Sequence, residues 1–160
     1  MVVTMHTQCD DKRESVETSD RNELSRRNTR SLIFHLLYAM EGFEYSISLA
    51  ELVDNFNQGF ELSIDPAGEV YITVHDIMQK RTLIDELFKP HLINWRYERL
   101  GLCTKLVLRF AVWEIYYTEV PSSIIINEAV ELAKCFSEKD AYKFINGVLD
   151  EVIKHKNTKE

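Results

Sequence analysis

"INEAVELAKCFSEKDAYKFINGVLD", residues 126–150, contains the residue pair on which the fold class turns. Asn146-Gly147 is a two-residue hairpin signal, and glycine costs roughly 1 kcal/mol relative to alanine inside a helix. Yet Ala141, Phe144, Ile145, Val148, Leu149, Val152 and Ile153 recur in steps of three and four, and the pattern crosses Gly147 without losing phase. A hairpin would alternate with period two on both sides. The spacing therefore predicts one amphipathic helix that carries its glycine. Two reasons for that glycine follow: another backbone passes close by, or this face lies against a ligand or partner.

Working outward, "SEKD" at 137–140 resembles a capping box with Asp in place of Glu, and starts this last helix. Beyond Ile153 the polar end should fray, giving a frayed C-terminus over 156–160. Upstream, Ser122 or Ser123 can cap a helix that buries Ile126, Ala129, Val130 and Ala133, and Pro121 stops the helix before it. That preceding helix, "LCTKLVLRFAVWEIYYTE" (102–119), is apolar nearly all round, which places it at the centre of the core. "PHLINWRYERLG" (90–101) reads as a short helix ending at Gly101, separated by Pro90 from a longer one using Val70, Val74, Ile77, Ile84 and Phe88. Asp65-Pro66 marks the start of the latter.

"SLAELVDNF" (48–56) gives a helix with Leu49, Leu52, Val53 and Phe56 inside and Ser46 or Ser48 as its cap. The first helix starts near Ser25 and buries Ile33, Leu36, Leu37 and Met40. Residues 1–22 are polar, aperiodic and rich in acids, and read as a disordered acidic tail. The sum is an all-α chain of about seven helices, its folded domain spanning 23–155. The 160 residues, 45% of them apolar, suit one domain with a real core, and 5 Gly and 3 Pro leave little room for long loops.

A formal net charge of −7 argues against binding nucleic acid by bulk electrostatics, so any such role must rest on local charge. Cys9, Cys103 and Cys135 have no metal or redox spacing, and free thiols in a reducing cytoplasm are the simplest reading. No stretch approaches a membrane span or a secretory signal. The histidines (His6, His35, His75, His91, His155) are scattered, and no phosphate loop or nucleophile elbow appears. Glu128 and Glu131 fit a solvated helix face better than acid–base chemistry. Neither a catalytic constellation, a metal site nor a cofactor site is expected.

Two clusters remain. Arg26, Arg27 and Arg30 would crowd the first turns of a helix capped by Ser25, where the macrodipole makes each cation unfavourable by a few tenths of a kcal/mol. A cluster that costs locally in an acidic chain points to an anionic partner, whereas a helix starting earlier, near Asn22, would leave the arginines merely solvated. Lys143 beside Phe144, near Asp140, pairs a base with an aromatic, as single-stranded nucleic acid requires. Phe144 also lies on the apolar stripe, where a core role is the simpler reading.

Three blocks, "RRNTRSLIFHLLY", "WRYERLGLCTKLVLRFAVWEI" and "VPSSIIINEAVELAKCFSEKDAYKFINGVLD", together resemble the NusB family of bacterial transcription antitermination factors, over roughly residues 26–150. The resemblance implies two packed helical bundles and no enzymatic activity. It implies binding of boxA, a short single-stranded RNA element in ribosomal RNA operon leaders. Binding would occur together with NusE, which is also a small-subunit ribosomal protein, in a complex that joins RNA polymerase and reads through terminators in the cytoplasm. By position, RNA contacts fall on Arg26, Arg27, Arg30, Asp140, Lys143 and Phe144, and NusE contacts on Tyr38 and Glu98. Some members form homodimers. Asn28 stands where the family often has a base, His91 where it often has an aromatic, and Thr104 where some members carry a partner-binding acid. Two other readings are a protein–protein adaptor without RNA binding, and the N-terminal module of an RNA methyltransferase. The latter would need a Rossmann unit, which these 160 residues do not contain.

Overall fold

The computed structural model describes the chain from Thr18 to Lys159, with side chains from Arg26 onward. Its regular elements are α1 (Thr18–Gly42), α2 (Leu49–Phe60), α3 (Glu69–Phe88), α4 (Leu102–Tyr117), α5 (Ser122–Phe136) and α6 (Ala141–Lys159), with single 3-10 turns at Lys89–His91 and Tyr97–Arg99. The all-α expectation holds; the described residues form six α-helices rather than about seven. The expected short helix over 90–101 is two separate turns instead, because Asn94 adopts a left-handed φ of 63° that no right-handed helix accommodates. None of the described helices is long and apolar enough to cross a membrane.

The chain forms two compact units, divided between Asp76 and Ile77 within α3. In the first, α1 packs against α2; the stripe of α1 is buried as its spacing predicts, at Ile33, Leu36, Leu37 and Met40, and that of α2 at Leu49, Leu52 and Val53, while Phe56, also expected inside, is half-buried near the end of its helix. Ser48 is the N-cap of α2, its hydroxyl accepting the Glu51 N–H at 3.1 Å. Asn57 then clamps the following loop, accepting from the Ile64 N–H at 2.8 Å and donating to the Ile64 carbonyl at 3.3 Å. Asp65-Pro66 makes a turn, with the Asp65 side chain accepting the Ala67 N–H, and α3 begins only at Glu69.

The second unit is built on α4, which packs against α5 and α6. The near all-round apolarity of α4 is borne out by unbroken burial from Leu106 to Val112. The phase expected for α5 shifts. Ile125, Ala129, Leu132 and Ala133 are buried, while Ile126 and Val130 are half-buried. Three consecutive isoleucines at 124–126 allow more than one apolar stripe, and packing between α4 and α6 selects the one through Ile125. Pro121 is itself the N-cap of α5, so neither Ser122 nor Ser123 plays that part. The chain stays helical to Lys159 instead of fraying after Ile153, and the Lys156 Nζ donates to the Ile115 carbonyl at 2.8 Å.

Helix α6 runs through Asn146-Gly147 as the periodicity predicts. Neither of the two reasons offered for Gly147 is visible in the fold itself, because a Cβ placed there meets no atom within 4 Å. Gly147→Ala should therefore raise stability by about 0.5–1 kcal/mol through helix propensity alone. Urea denaturation followed by circular dichroism measures this, and a loss of stability would show that the fold itself requires glycine at this position.

Burying charge at the centre of this unit requires pairing. Arg109, on α4, meets Asp85, on α3, in a two-pronged pair: Nε donates to Oδ1 at 2.9 Å and a terminal nitrogen to Oδ2 at 2.8 Å. Both residues are buried. The Tyr97 hydroxyl donates to the same Oδ2 at 2.6 Å. Burial first, and then that hydrogen bond to Asp85, pushes the Tyr97 phenol up to about 12. A raised phenol pKa means that the fold favours the protonated form. Its contribution is complete below pH 10 and is lost as pH rises through about 12. The stability gap between the wild type and Tyr97→Phe should accordingly close between pH 10 and pH 12; a constant gap across that window would show that the hydroxyl is not coupled to Asp85.

Cys103 is a free thiol, half-buried as it enters α4, and burial pushes its pKa up. Cys135 is half-buried near the end of α5, and Cys9 lies outside the described residues.

Candidate nucleic-acid interface

The arginine cluster sits on α1, but not where its spacing from Ser25 suggests. Because α1 begins at Thr18, Arg26, Arg27 and Arg30 fall beyond its second turn, away from the positive end of the helix dipole. The penalty that made the cluster conspicuous is thus absent. Nothing in residues 18–25 breaks a helix as glycine or proline would, so periodicity alone could not fix the start. Of the expected tail, positions 18–22 belong to α1, and positions 1–17 lie outside the described residues. What remains is exposure: Arg26, Arg27 and Asn28 face solvent, and Arg30 is half-buried. About two to three turns further along the helix, Tyr38 is 47% exposed and stacked on Phe34, with ring centroids 6.4 Å apart.

The second cluster lies in the other unit, at the start of α6. The capping box expected from "SEKD" does not form. Ser137 ends α5, and its buried hydroxyl finds no hydrogen-bond partner among the described residues. The loop is instead anchored through Glu138, whose Oε2 accepts from the Thr104 hydroxyl at 2.8 Å. The same carboxylate lies over Gly101, the N-cap of α4, so closely that a Cβ there would overlap it. An anion at a helix N-terminus is favourable, and only glycine leaves room for it here. Thr104 is buried and engaged in this contact.

Anchored this way, the loop turns into α6 at Asp140, which has a left-handed φ of 66°. Lys143 and Asp140 are both exposed and form a loose ion pair at 3.5 Å. Phe144 is half-buried, neither a full core residue nor a free ring. It rests against Trp95, with ring centroids 5.6 Å apart at 54°.

Trp95 is not among the candidate residues named from the sequence. It lies in "INWR", 93–96, between the two 3-10 turns, where every residue is exposed, Trp95 to 55% and Ile93 to 66%. The signal was available: Trp95-Arg96 is the same pairing of aromatic and base that singled out Lys143-Phe144. Glu98, in the turn that follows, is exposed. His91, where an aromatic is often found in the family, packs its ring against His155 at 5.2 Å. Burial first, then the neighbouring His155, holds the His91 pKa below its ordinary value. No group of three or more metal-ligating side chains occurs among the described residues.

The sequence profile of the NusB family matches residues 27–154. The chain is 35% identical over 136 residues to the transcription antitermination protein NusB of Macrococcus caseolyticus, covering 83% of this chain and 99% of that one. It is 34% identical over 130 residues to the NusB of Staphylococcus epidermidis, covering 81% and 98%. Among solved structures, T. maritima NusB superposes with a TM-score of 0.66 at 26% identity, over 81% of this chain and 90% of that one. A chain in a crystal structure of a plectonemic RNA supercoil superposes with a TM-score of 0.70 at 25% identity, over 84% and 98%. A profile match across most of the chain, relatives matched nearly end to end and a shared all-helical fold lead to one conclusion: this chain belongs to the NusB family.

Proposed function

We propose that this chain is a transcription antitermination factor that binds boxA-type single-stranded RNA of ribosomal RNA operon leaders together with NusE, and that the complex acts on RNA polymerase without catalysing a reaction. The observation that carries this reading is the pair of exposed arginines, Arg26 and Arg27, displayed on α1 of a chain whose net charge is −7. Local cations in an acidic protein suit an anion that must be bound at one place rather than anywhere. Lys143 and the half-exposed Phe144 add a phosphate contact and a stacking ring. Arg30 and Asp140 complete the RNA-facing set, with Asp140 orienting Lys143. Tyr38 and Glu98, both exposed, are the proposed contacts with NusE. Support for RNA as the ligand also comes from the relatives, which are antitermination proteins, and from the structural neighbour found with RNA.

The test is a titration of labelled boxA-type RNA with this protein, with and without NusE, at two salt concentrations. Weak binding that tightens with NusE and falls with salt is the expected result, and Arg27→Glu should weaken it. If NusE binds and RNA does not under either condition, the chain is a protein–protein adaptor and the RNA reading fails.

A further inference from the structure

We propose that Trp95 and Phe144 form a two-ring platform that stacks an unpaired nucleobase of single-stranded RNA, with Arg96 and Lys143 taking the flanking phosphates. The proposal deepens the RNA-binding reading above and rests on it. Trp95 leaves 55% of its surface in water while its indole stays against the Phe144 ring, 5.6 Å away at 54°. An indole is the largest apolar side chain a soluble protein can leave uncovered, and exposed aromatic area of this kind marks a binding surface.

The segment that presents it is held in place. The left-handed turn at Asn94 separates Ile93 from Trp95, the Ile93 N–H donates to the His91 carbonyl at 3.0 Å, and the Trp95 N–H to the Leu92 carbonyl at 3.4 Å. Each ring has an exposed cation as its chain neighbour, Arg96 beside Trp95 and Lys143 beside Phe144. The carboxylates nearby are Glu98 and Asp140. Asp140 holds Lys143 only at 3.5 Å, with the two side chains 57% and 67% exposed. Such a surface pair contributes little, so the ammonium can exchange its carboxylate for a phosphate. Aromatic faces flanked by cations match the alternation of base and phosphate along a single strand. A protein partner would ask for no such alternation.

The experiment uses the full chain with NusE and labelled boxA-type RNA. Trp95→Ala should weaken RNA binding roughly 10- to 100-fold, the effect of losing one base–aromatic stack. Trp95→Phe, which keeps a ring, should restore most of it. Circular dichroism and NusE binding should be unchanged in both variants. A second measurement does not depend on the alanine variant folding. RNA should quench the part of the tryptophan fluorescence that Trp95→Phe removes, leaving the Trp113 part unaffected. Wild-type affinity in a folded Trp95→Ala variant, alongside weakened binding by Arg27→Glu, would overturn the platform and leave the RNA reading standing. So would absent quenching at saturating RNA. Loss of NusE binding or of self-association in Trp95→Ala, with RNA affinity intact, would make this a protein-binding surface and overturn the proposal. Absence of RNA binding by the wild type with NusE present would remove both readings together.

Discussion

Arg109→Ala should destabilise the chain by about 3–5 kcal/mol, the cost of leaving one member of a buried ion pair without its partner. The variant strands the Asp85 carboxylate among buried side chains, with the Tyr97 hydroxyl still donating to it. The cost comes from the orphaned charge more than from the lost attraction. A double variant that removes both charges, Arg109→Met with Asp85→Leu, should therefore be far less harmful than Arg109→Ala, and near neutral if the new side chains pack. Urea denaturation at neutral pH, followed by circular dichroism, measures all three proteins. A loss under about 1 kcal/mol for Arg109→Ala would mean that the pair is effectively solvated. The pair links α3 to α4 inside the second unit, so RNA-binding defects in such variants should be read only after their fold is checked.

The second large effect is expected at the interface. Replacing Arg26 and Arg27 together with glutamine should reduce the steepness with which RNA affinity falls with salt. Each phosphate contact on a single strand contributes about 0.7 to that slope, so two contacts contribute about 1.4. The same figures put the loss of affinity at about 25-fold at 0.1 M salt relative to its value near 1 M. Glutamine keeps the helix and its hydrogen-bonding length while removing charge, so α1 should be intact. Measuring the affinity of wild type and variant for boxA-type RNA over a range of salt, with NusE present, gives both slopes. Parallel slopes would show that these arginines do not touch phosphate, and would shift the RNA-facing charge to Lys143 and Arg96.

The two predictions draw on residues of different legibility. The arginines of α1 are legible as a cation cluster in an acidic chain, but the dipole penalty expected for a helix capped by Ser25 does not apply to them, because the helix begins at Thr18. Arg109 was equally legible in principle. It is a charge in a helix apolar nearly all round, and such a charge must find a partner. Its partner, Asp85, is 24 residues away in the chain, and no local pattern names it. Trp95 follows the same pairing of aromatic and base as Lys143-Phe144, but the sequence of 90–101 predicts a helix, and only the two separate turns that form instead leave the whole of 93–96 exposed.

By itself the sequence determined the helical class, the stripes of α1, α2 and α6 and the passage of α6 through Gly147, because period and phase are local properties of the chain. It also carried the family, through blocks spread over most of its length. Only the tertiary structure decided which of three isoleucines α5 buries, how Glu138 sits on the start of α4 to hold the Asp140 turn, and that Trp95 rests on Phe144. Those features are contacts between residues distant in sequence. Their energies depend on which surfaces the packed helices bring together, and no single segment contains that information.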